Sequence, residues 1–245
     1  MRILLVGDDA VDFYVFCDRK DHNPEGSYPI IIPRRHEIRA GMAGNVRDNL
    51  IALGHDVTTI LGNQSEKVRM VDQATNQVLI RVDNDAVCEP IILNADEVQR
   101  FDAVVICDYG KGSVSEQTIH SASKAKRVYV DTKMKYLAQF PFATFKINTR
   151  EYLNIVTVPD DLVVTAGKQG SWCRDIHVVT STLNYVDAVG AGDVYLAALV
   201  HGEHLFGDRF TAMSFASSCA TLSVETFGTH VLTDREIQSV LGITH

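Results

Sequence analysis

The chain has 245 residues and a formal net charge of −8; 46% of its residues are hydrophobic and 22% are charged. This composition is that of an ordinary folded globular protein and excludes an intrinsically disordered chain. The length accommodates one large α/β domain, or such a domain with a small appendage. The acidic balance argues against nucleic acid as the main partner, because binding to a phosphate backbone usually shows a basic surplus.

The sequence carries no sign of export or membrane insertion. No apolar run reaches membrane-spanning length, and the opening residues 1–7 become polar too early for a signal peptide. The five cysteines are scattered and have no metal-ligand spacing, which predicts buried free thiols. We therefore expect a cytoplasmic protein with no membrane partner.

Extended segments dominate the first third of the chain. The sequence predicts six of them, at 2–6, 12–17, 30–38, 57–61, 68–71 and 77–82, the last two forming a hairpin. A helix is predicted at 41–53, where apolar residues recur with helical spacing and Gly54 suits the position after the helix. Because most of these segments do not alternate with helices, we expect them to form a small separate sheet that covers a site as a lid.

The chain then changes to a regular alternation of strands and helices. Short apolar runs predict buried strands at 103–107, 128–130, 145–147 and 162–165. Strands of this kind, separated by helical segments, indicate a parallel sheet flanked by helices. Ligands bind along the carboxyl edge of such a sheet, so that edge is where we expect the site.

One segment combines a glycine-rich turn with a carboxylate at the start of a helix. Residues 186–193 read Val-Asp-Ala-Val-Gly-Ala-Gly-Asp and lead into an apolar stretch. Gly190, Ala191 and Gly192 allow a tight turn, and a helix N-terminus has free N–H groups that bind phosphate. Asp193 follows in the first turn, where the helix dipole alone also favours an Asp. An anion site beside a possible general base suits phosphoryl transfer to a hydroxyl group.

Further polar residues follow the predicted strands. They are Asp8, Asp12, Asn45, Asp108–Gly112 (Asp-Tyr-Gly-Lys-Gly), Asp131–Lys133 and Asn148–Glu151. Taken one at a time, each is more simply explained as a helix cap or a turn residue. Their joint presence at successive strand ends indicates a functional site.

These motifs resemble those of the ribokinase (PfkB) family of sugar kinases. Residues 187–193 match the Asp-x-x-Gly-Ala-Gly-Asp signature of that family without a gap, and Asn148-x-x-Glu151 matches its Asn-x-x-Glu motif. Residues 39–54 are similar to its Gly-Gly-Ala-Ala-Asn-Val helix. The resemblance extends from residue 2 to about residue 237.

The resemblance implies a fold. We expect a single ribokinase-like α/β domain over residues 1–245, with a mostly parallel central sheet flanked by helices. A small β lid would be formed by inserted strands at about 12–39 and 68–83. Lids in the family often pack against each other across a two-fold axis, so a homodimer through the lid is expected.

The resemblance also implies roles for individual residues. Asp193 would be the catalytic base, and the amides of Gly190, Ala191 and Gly192 would form the anion hole. ATP and Mg²⁺ would be the cofactors, with a monovalent cation as a further candidate; Asn148 and Glu151 would hold Mg²⁺ through water. The other cofactor-binding candidates are Thr165, Gly167, Gly170, Asp187, Ser217 and Gly228. The substrate-binding candidates are Asp12, Gly41, Asn45, Arg39, Arg81, Asp108, Lys111 and Lys133.

Within the family, three segments look most like the kinase half of bifunctional ADP-heptose synthases: Leu79–Asp83, Asp108–Gly112 and Asp131–Lys133. That relative phosphorylates D-glycero-D-manno-heptose 7-phosphate at its anomeric hydroxyl, so the resemblance implies this acceptor or a similar sugar. Arg39 and Arg81 would hold the phosphate of the acceptor. Two alternatives are a kinase of another sugar or a nucleoside, and a non-catalytic descendant that binds a nucleotide or a sugar.

The chain departs from the family pattern at several points. Met42 stands where the family has its second glycine, and Ser217 stands where an Asn often approaches the adenine. The chain is shorter than the pattern between Gly62 and Val68 and again between residues 155 and 161. No nucleotidyltransferase half follows in this sequence, so we expect a compacted kinase that does not make the ADP-sugar by itself.

Overall fold

A computed structural model describes residues 1–20, 24–180 and 185–242 of the chain. The strands are β1 (Arg2–Lys20), β2 (Ile30–Met42), β3 (Asp56–Asp72), β4 (Val78–Asn84), β5 (Ala103–Cys107), β6 (Val128–Asp131), β7 (Ala143–Asn148), β8 (Leu162–Thr165), β9 (Ser171–Cys173) and β10 (Ile176–Val178). The helices are α1 (Ala43–Ala52), α2 (Ala95–Val98), α3 (Glu116–Ser121), α4 (Thr149–Tyr152), α5 (Ala191–Phe206), α6 (Arg209–Val224) and α7 (Asp234–Val240).

These strands form one sheet. Its order is β10-β9-β8-β7-β6-β5-β1-β3-β4, and β2 pairs with β1 outside this path. The strands from β3 through β1 and β5 to β8 run parallel, whereas β2, β4, β9 and β10 pair antiparallel with their neighbours. Because the carboxyl ends of β5, β6 and β7 meet at one edge, the polar residues that follow these strands are brought to that edge.

The sheet separates two hydrophobic layers, because successive side chains of a strand point to opposite faces. Ile3 and Leu5 of β1 pack in one layer with residues of α1, α5 and α6. Leu4 and Val6 pack in the opposite layer, together with Val98 of α2 and Ile119 of α3. Burial on both faces explains why the strands of the parallel core read as continuous apolar runs.

The first and third strands are much longer than the sequence predicts. β1 pairs with β3 from Arg2 to Cys17, with one irregularity between Gly7 and Asp9. The outer part of β1 also pairs with β2, and β3 pairs with β4 as the predicted hairpin. The expectation of a separate small sheet is therefore wrong: the same two strands run through the core and continue outward. The acidic residues that follow Val6 mark the place where β1 leaves the core, and they do not end the strand.

The projecting part of the sheet has two different faces. Tyr14, Phe16 and Val71 form a small buried cluster with Phe227 on one face. The register aligns Ile38, Phe13, Val68 and Val82 across the opposite face, where Ile38 is 58% exposed and Val82 is 54% exposed. One face thus packs against the body of the protein, while the other presents apolar side chains to solvent. That this projection acts as a lid stays a prediction.

None of the helices in the described ranges is long and apolar enough to cross a membrane.

Candidate active site

The turn before α5 has the conformation that its glycines predict. Gly190 has φ +79° and precedes the helix as its N-cap, a left-handed conformation that glycine adopts without strain. A Cβ atom at this position would lie 2.7 Å from Asn45 Nδ2. Among the described residues, the N–H groups of Gly190 and Gly192 have no acceptor, whereas Ala191 N–H donates to the carbonyl of Ala188 at 3.3 Å. The turn therefore offers two free donors at the positive end of a sixteen-residue helix.

Asp193 lies directly behind this turn and is only 7% exposed. Its Oδ2 accepts a hydrogen bond from Asn45 Nδ2 at 3.0 Å, and its Oδ1 accepts one from the hydroxyl of Tyr109. Burial raises the pKa of the Asp193 carboxyl to about 6, against the opposing effect of these two donors and of Lys146. A buried carboxyl with a pKa near neutrality has the properties of a general base.

A buried lysine lies beside the same turn. Lys146 of β7 is 4% exposed and pairs with Asp131 at the end of β6. A Cβ atom on Gly192 would lie 3.1 Å from Lys146 Nζ, so the ammonium group lies beside Gly192. Burial by itself would lower the pKa of Lys146. The nearby carboxylates, above all that of Asp131, outweigh it together, so the pKa lies above its ordinary value. This cation was not among the predicted site residues, although a lysine inside the apolar run Phe145-Lys146-Ile147 is a detectable signal.

A cavity of about 300 Å³ opens on the other side of the turn. Four of the predicted cofactor-binding residues line it, together with Ala191 and Gly192: they are Thr165, Gly167, Gly170 and Ser217. Further lining residues that the sequence did not single out include Lys168, Tyr185 and Tyr195. Gly192 adjoins both this cavity and Lys146. An anionic group of a molecule bound in the cavity could therefore lie at the start of α5.

Asn148 and Glu151 form a reciprocal capping box at the start of α4. Asn148 Oδ1 accepts from the Glu151 amide at 2.9 Å, and Glu151 Oε2 accepts from the Asn148 amide at 2.8 Å. The Asn-x-x-Glu spacing thus has a complete local explanation. Burial and the nearby Asp131 carboxylate raise the pKa of Glu151, which indicates negative charge concentrated at the edge that carries Lys146.

These carboxylates suit Mg²⁺ held mostly by water and phosphate. The described residues contain no group of three or more His, Cys, Asp or Glu side chains arranged to enclose a metal ion. Mg²⁺ dehydrates reluctantly and is commonly held by one or two carboxylates together with substrate phosphates. Glu151, with Asn148 beside it, therefore fits a water-mediated site and does not fit a closed protein cage.

Asp12 lies on the inner face of the projecting sheet and is buried. It forms an ion pair with Arg69 at 2.5 Å, and both side chains are less than 10% exposed. A Cβ atom on Gly41 would lie 2.7 Å from Asp12 Oδ2, so the missing side chain at position 41 lets the carboxylate lie close against β2. Arg69 was not among the predicted site residues, because only the pairing of β1 with β3 brings it to Asp12.

The arginines predicted to hold a phosphate are already bonded within the protein. Arg39 Nη1 donates to the carbonyl oxygens of Phe227 and Thr229 at 2.6 and 3.0 Å, and its Nη2 pairs with Glu37. Arg81 donates two hydrogen bonds of 2.7 Å to Asp83.

Lys67, on the same face of the sheet as Asp12 and Asp83, makes no ion pair within the described chain. Burial lowers the pKa of Lys67.

The Asp108–Gly112 loop is fixed by Asp8. One carboxylate oxygen of Asp8 accepts from the amides of Tyr109 and Lys111, and the other accepts from the amide of Ser113. Asp108 accepts from the Thr132 hydroxyl at 2.6 Å. The loop therefore presents the Tyr109 side chain to Asp193 from a rigid base.

The remaining predicted residues occupy supporting positions. Lys111 pairs with Asp85, and Lys133 Nζ donates to the carbonyl of Tyr109 at 2.7 Å. Asp187 accepts from the amide of Gly228 at 3.0 Å and ties the glycine turn to the 227–229 loop. A nucleotide or substrate role for these residues stays a prediction.

Residues 149–235 match the pfkB family of carbohydrate kinases. This range contains the glycine turn, Asp193 and Glu151. The match spans about a third of the chain. It bears out the predicted resemblance to this family and to its class, the ATP-dependent phosphotransferases.

The curated relatives extend the match beyond that range. The chain is 27% identical to the bifunctional protein HldE of Rhodopseudomonas palustris (strain BisB5) over 96% of its length. It is 24% identical to the HldE of Geotalea uraniireducens over its whole length. These matches cover 62% and 64% of the relatives, so the chain spans less than two thirds of their length. The aligned span of 305 positions with the first relative exceeds the 245 residues of this chain. That relative therefore has segments without a counterpart in this chain.

Solved structures of the family share the fold. Ribokinase of Thermotoga maritima superposes with a TM-score of 0.70 at 14% identity, with 98% of this chain and 99% of that chain covered. Phosphofructokinase-2 of Escherichia coli, in a complex with potassium, gives a TM-score of 0.72 at 17% identity, with 98% and 97% covered. The predicted ribokinase-like α/β fold is confirmed.

Proposed function

We propose that this chain transfers the terminal phosphoryl group of ATP to a hydroxyl group of a phosphorylated sugar. The acceptor that we favour is D-glycero-D-manno-heptose 7-phosphate, or a similar sugar phosphate, with its anomeric hydroxyl as the nucleophile. One observation carries the proposal: a buried carboxylate with a pKa of about 6 lies within one helical turn of free N–H donors and a buried ammonium group.

Asp193 would accept the proton of the attacking hydroxyl group. Its pKa of about 6 keeps most of the carboxyl ionised at neutral pH, and a pKa close to the working pH is the best compromise for a general base. Asn45 and Tyr109 hold the two carboxylate oxygens, so the carboxylate is oriented before the substrate binds. Loss of such orientation would cost rate even if the carboxylate stayed charged.

The charge on the transferred phosphoryl group would be stabilised by fixed groups. The free N–H groups of Gly190 and Gly192 lie at the start of α5, and the ammonium of Lys146 lies beside Gly192. Preorganised donors of this kind stabilise charge more effectively than water, because they need no reorganisation during the reaction. Family members use ATP and Mg²⁺. The bound Mg²⁺, for which Glu151 and Asn148 are the proposed water-mediated partners, would neutralise phosphate charge.

The sugar would lie between the start of α5 and the projecting sheet. A chain of contacts connects the two. Thr229 lies beside Gly190, and its amide donates to the Tyr14 hydroxyl group. The guanidinium group of Arg69 lies over the ring of Tyr14. The hydroxyl group of Thr229 is buried and has no hydrogen-bond partner in the described chain. A buried polar atom without a partner costs free energy, and a sugar hydroxyl group at this place would supply the partner.

An anionic acceptor is supported by the charges at the far end of this path. Arg39 and Arg81 are the predicted phosphate ligands, but their guanidinium groups would have to exchange existing partners. Among the residues that the structure describes, Lys67 has no such partner, and it lies in register with Asp12. We therefore add Lys67 to Arg39 and Arg81 as a ligand for the acceptor phosphate. The resemblance to heptose 7-phosphate kinases and the similarity to HldE proteins support the same class of acceptor.

Measuring ADP release across acceptors with ATP and Mg²⁺ tests the proposal. The panel contains heptose 7-phosphate, the unphosphorylated heptose, fructose 6-phosphate, ribose and a nucleoside. We expect the highest kcat/KM with heptose 7-phosphate. Preference for a neutral sugar or a nucleoside would replace the acceptor and keep the kinase. Absence of turnover with every acceptor, together with ATP binding, would favour the non-catalytic alternative.

Variants of the basic residues then locate the phosphate. Lys67→Gln and Arg81→Ala should each raise KM for heptose 7-phosphate about ten- to a hundredfold, since a hydrogen bond to a charged group contributes about 1.5–3 kcal/mol. KM for ATP should stay within about twofold of the wild-type value. Arg34→Ala, which removes an exposed arginine paired with Asp18, is the matched control. An unchanged KM in both test variants would exclude this phosphate site.

A further inference from the structure

We infer that Tyr109 is a positioning residue for phosphoryl transfer, whose hydroxyl group holds the Asp193 carboxylate in place and keeps it available as a base. The inference rests on the proposed function of Asp193, and it assigns a task to a residue that the known motifs leave without one. Tyr109 Oη donates a hydrogen bond to Asp193 Oδ1. The tyrosine does not exchange a proton with the base, because burial and the Asp193 charge raise the pKa of Tyr109 well above its ordinary value. It therefore remains a donor.

The backbone on both sides of Tyr109 is unusually well fixed. Asp8 is fully buried and its carboxylate accepts from three amides of the loop, including that of Tyr109 at 2.8 Å. The carbonyl of Tyr109 accepts from Lys133 Nζ at 2.7 Å. A side chain presented from such a loop loses little additional entropy when it bonds to a neighbour. Asp8 thus holds the loop in place, and Tyr109 of that loop holds the Asp193 carboxylate.

The two donors leave room for a substrate. Asn45 occupies one position on Oδ2 and Tyr109 one position on Oδ1, while an ionised carboxylate offers about four acceptor positions. A sugar hydroxyl group can therefore donate to Asp193 without displacing either residue. Holding both oxygens restricts rotation of the carboxylate, so the positions that remain free have a fixed direction.

Several charged and titratable groups face Asp193 from the neighbouring strands. Lys146 of β7 lowers its pKa and Asp131 of β6 raises it. Cys107 of β5 is also near, but burial raises the pKa of this thiol well above its ordinary value, so it stays neutral. Lys146 and Asp131 offset each other as a salt bridge, which leaves the Tyr109 and Asn45 hydrogen bonds as the main opposition to burial. Removal of the Tyr109 hydroxyl group should therefore make Asp193 a weaker acid.

The test is Tyr109→Phe, which keeps the ring and removes the hydrogen bond. We expect the pKa of Asp193, followed by NMR of the carboxyl carbon, to rise by about one unit or more, as loss of a hydrogen bond to a charged group implies. With a shift of one unit from about 6, the ionised fraction at pH 6 falls about fivefold. The rate at pH 6 should fall in proportion, and the loss should shrink above pH 8.

Tyr129→Phe is the matched control. Tyr129 also donates its hydroxyl group to a buried carboxylate, that of Glu203 at 2.8 Å, but it lies away from the site. This variant should leave the pKa of Asp193 and the shape of the pH–rate profile unchanged. A Tyr109→Phe enzyme with a uniform rate loss at all pH values and an unshifted Asp193 would overturn the inference. The NMR titration needs no turnover. If Tyr109→Phe shifts the pKa of Asp193 while the wild-type protein phosphorylates no acceptor, the proposed function is refuted and the Tyr109–Asp193 coupling stands.

Discussion

At the scale of single residues, the site depends on how burial and hydrogen bonding oppose each other at Asp193. Burial favours the neutral acid, and the donors Tyr109, Asn45 and Lys146 favour the carboxylate; the result is a pKa of about 6. For a base whose pKa is raised in this way, the reactive form is lost as the pH falls through 6. We expect kcat/KM of the wild-type enzyme to decline below about pH 6, which a pH–rate profile with a saturating ATP–Mg²⁺ concentration measures. A flat profile down to pH 5 would exclude Asp193 as the base.

Met42 is a second residue at which the sequence and the backbone conflict. It has φ +50° and ψ −132°, a conformation that glycine adopts freely and that costs other residues about 1–3 kcal/mol. The side chain is 5% exposed, so its burial offsets part of this cost. The glycine of the family pattern at this position therefore reflects the backbone conformation at the start of α1.

Comparing Met42→Gly with Met42→Ala separates the two effects. Both variants lose the buried side chain, but only glycine relieves the backbone. We expect the glycine variant to be more stable than the alanine variant by about 1 kcal/mol or more, the reverse of the usual order in a helix. Urea unfolding measures the difference. An alanine variant as stable as the glycine variant would show that the backbone at residue 42 is relaxed.

Glu151 is the residue that separates a metal role from a capping role. Glu151→Gln should raise the Mg²⁺ concentration for half-maximal rate severalfold, because a neutral amide binds Mg²⁺ less well than a carboxylate. Gln also completes a capping box, so α4 should stay folded. Glu236→Gln is the control, since Glu236 forms the same capping box with Thr233 at α7. Equal Mg²⁺ dependence in both variants would leave Glu151 with the cap alone.

At the scale of secondary-structure elements, much of the fold follows from the sequence. The apolar runs at 103–107 and 162–165 are strands β5 and β8 with the same bounds, because strands buried on both faces need no polar residues. The turn at 190–192 and the start of α5 follow from the glycines. The length of β1 could not be predicted, since Asp8 and Asp12 interrupt its apolar pattern. Their charges are accommodated only by loop amides and by Arg69.

The site itself could be predicted only in part, for the same physical reason. Motif residues such as Asp193 and Asn45 are brought together by α1 and α5, as the resemblance implies. The partners of Tyr109, Lys146 and Arg69 lie fifteen or more positions away in the sequence, and no local pattern specifies such pairs. A charged residue within an apolar strand is the one signal that could have found Lys146 and Arg69.

At the scale of the whole molecule, the projecting sheet predicts association. Its outer face aligns apolar residues across four strands, among them Ile38, Ile80 and Val82, which are 47–58% exposed. Contiguous exposed apolar surface on a sheet commonly marks an interface. We expect a homodimer through this face, as the resemblance also implies, and sedimentation velocity at micromolar concentration measures it.

A charge on this face should dissociate the dimer. Val82→Lys places an ammonium group within the proposed interface, where it would be desolvated without a partner. Leu153→Lys is the control. Leu153 directly follows α4, outside the projecting sheet, and is 78% exposed. A wild-type protein that sediments only as a monomer would contradict the prediction.

The central claim is that Asp193 is the base of a phosphoryl transfer, and Asp193→Asn tests it most directly. The amide keeps the size of the side chain and its ability to accept a hydrogen bond, but it cannot take a proton at neutral pH. We predict that ADP release with the best acceptor falls at least about a hundredfold, as expected for loss of general base catalysis. The Kd for ATP, measured by calorimetry, should stay within about twofold of the wild-type value. A variant that retains more than about a tenth of the wild-type rate would contradict this role.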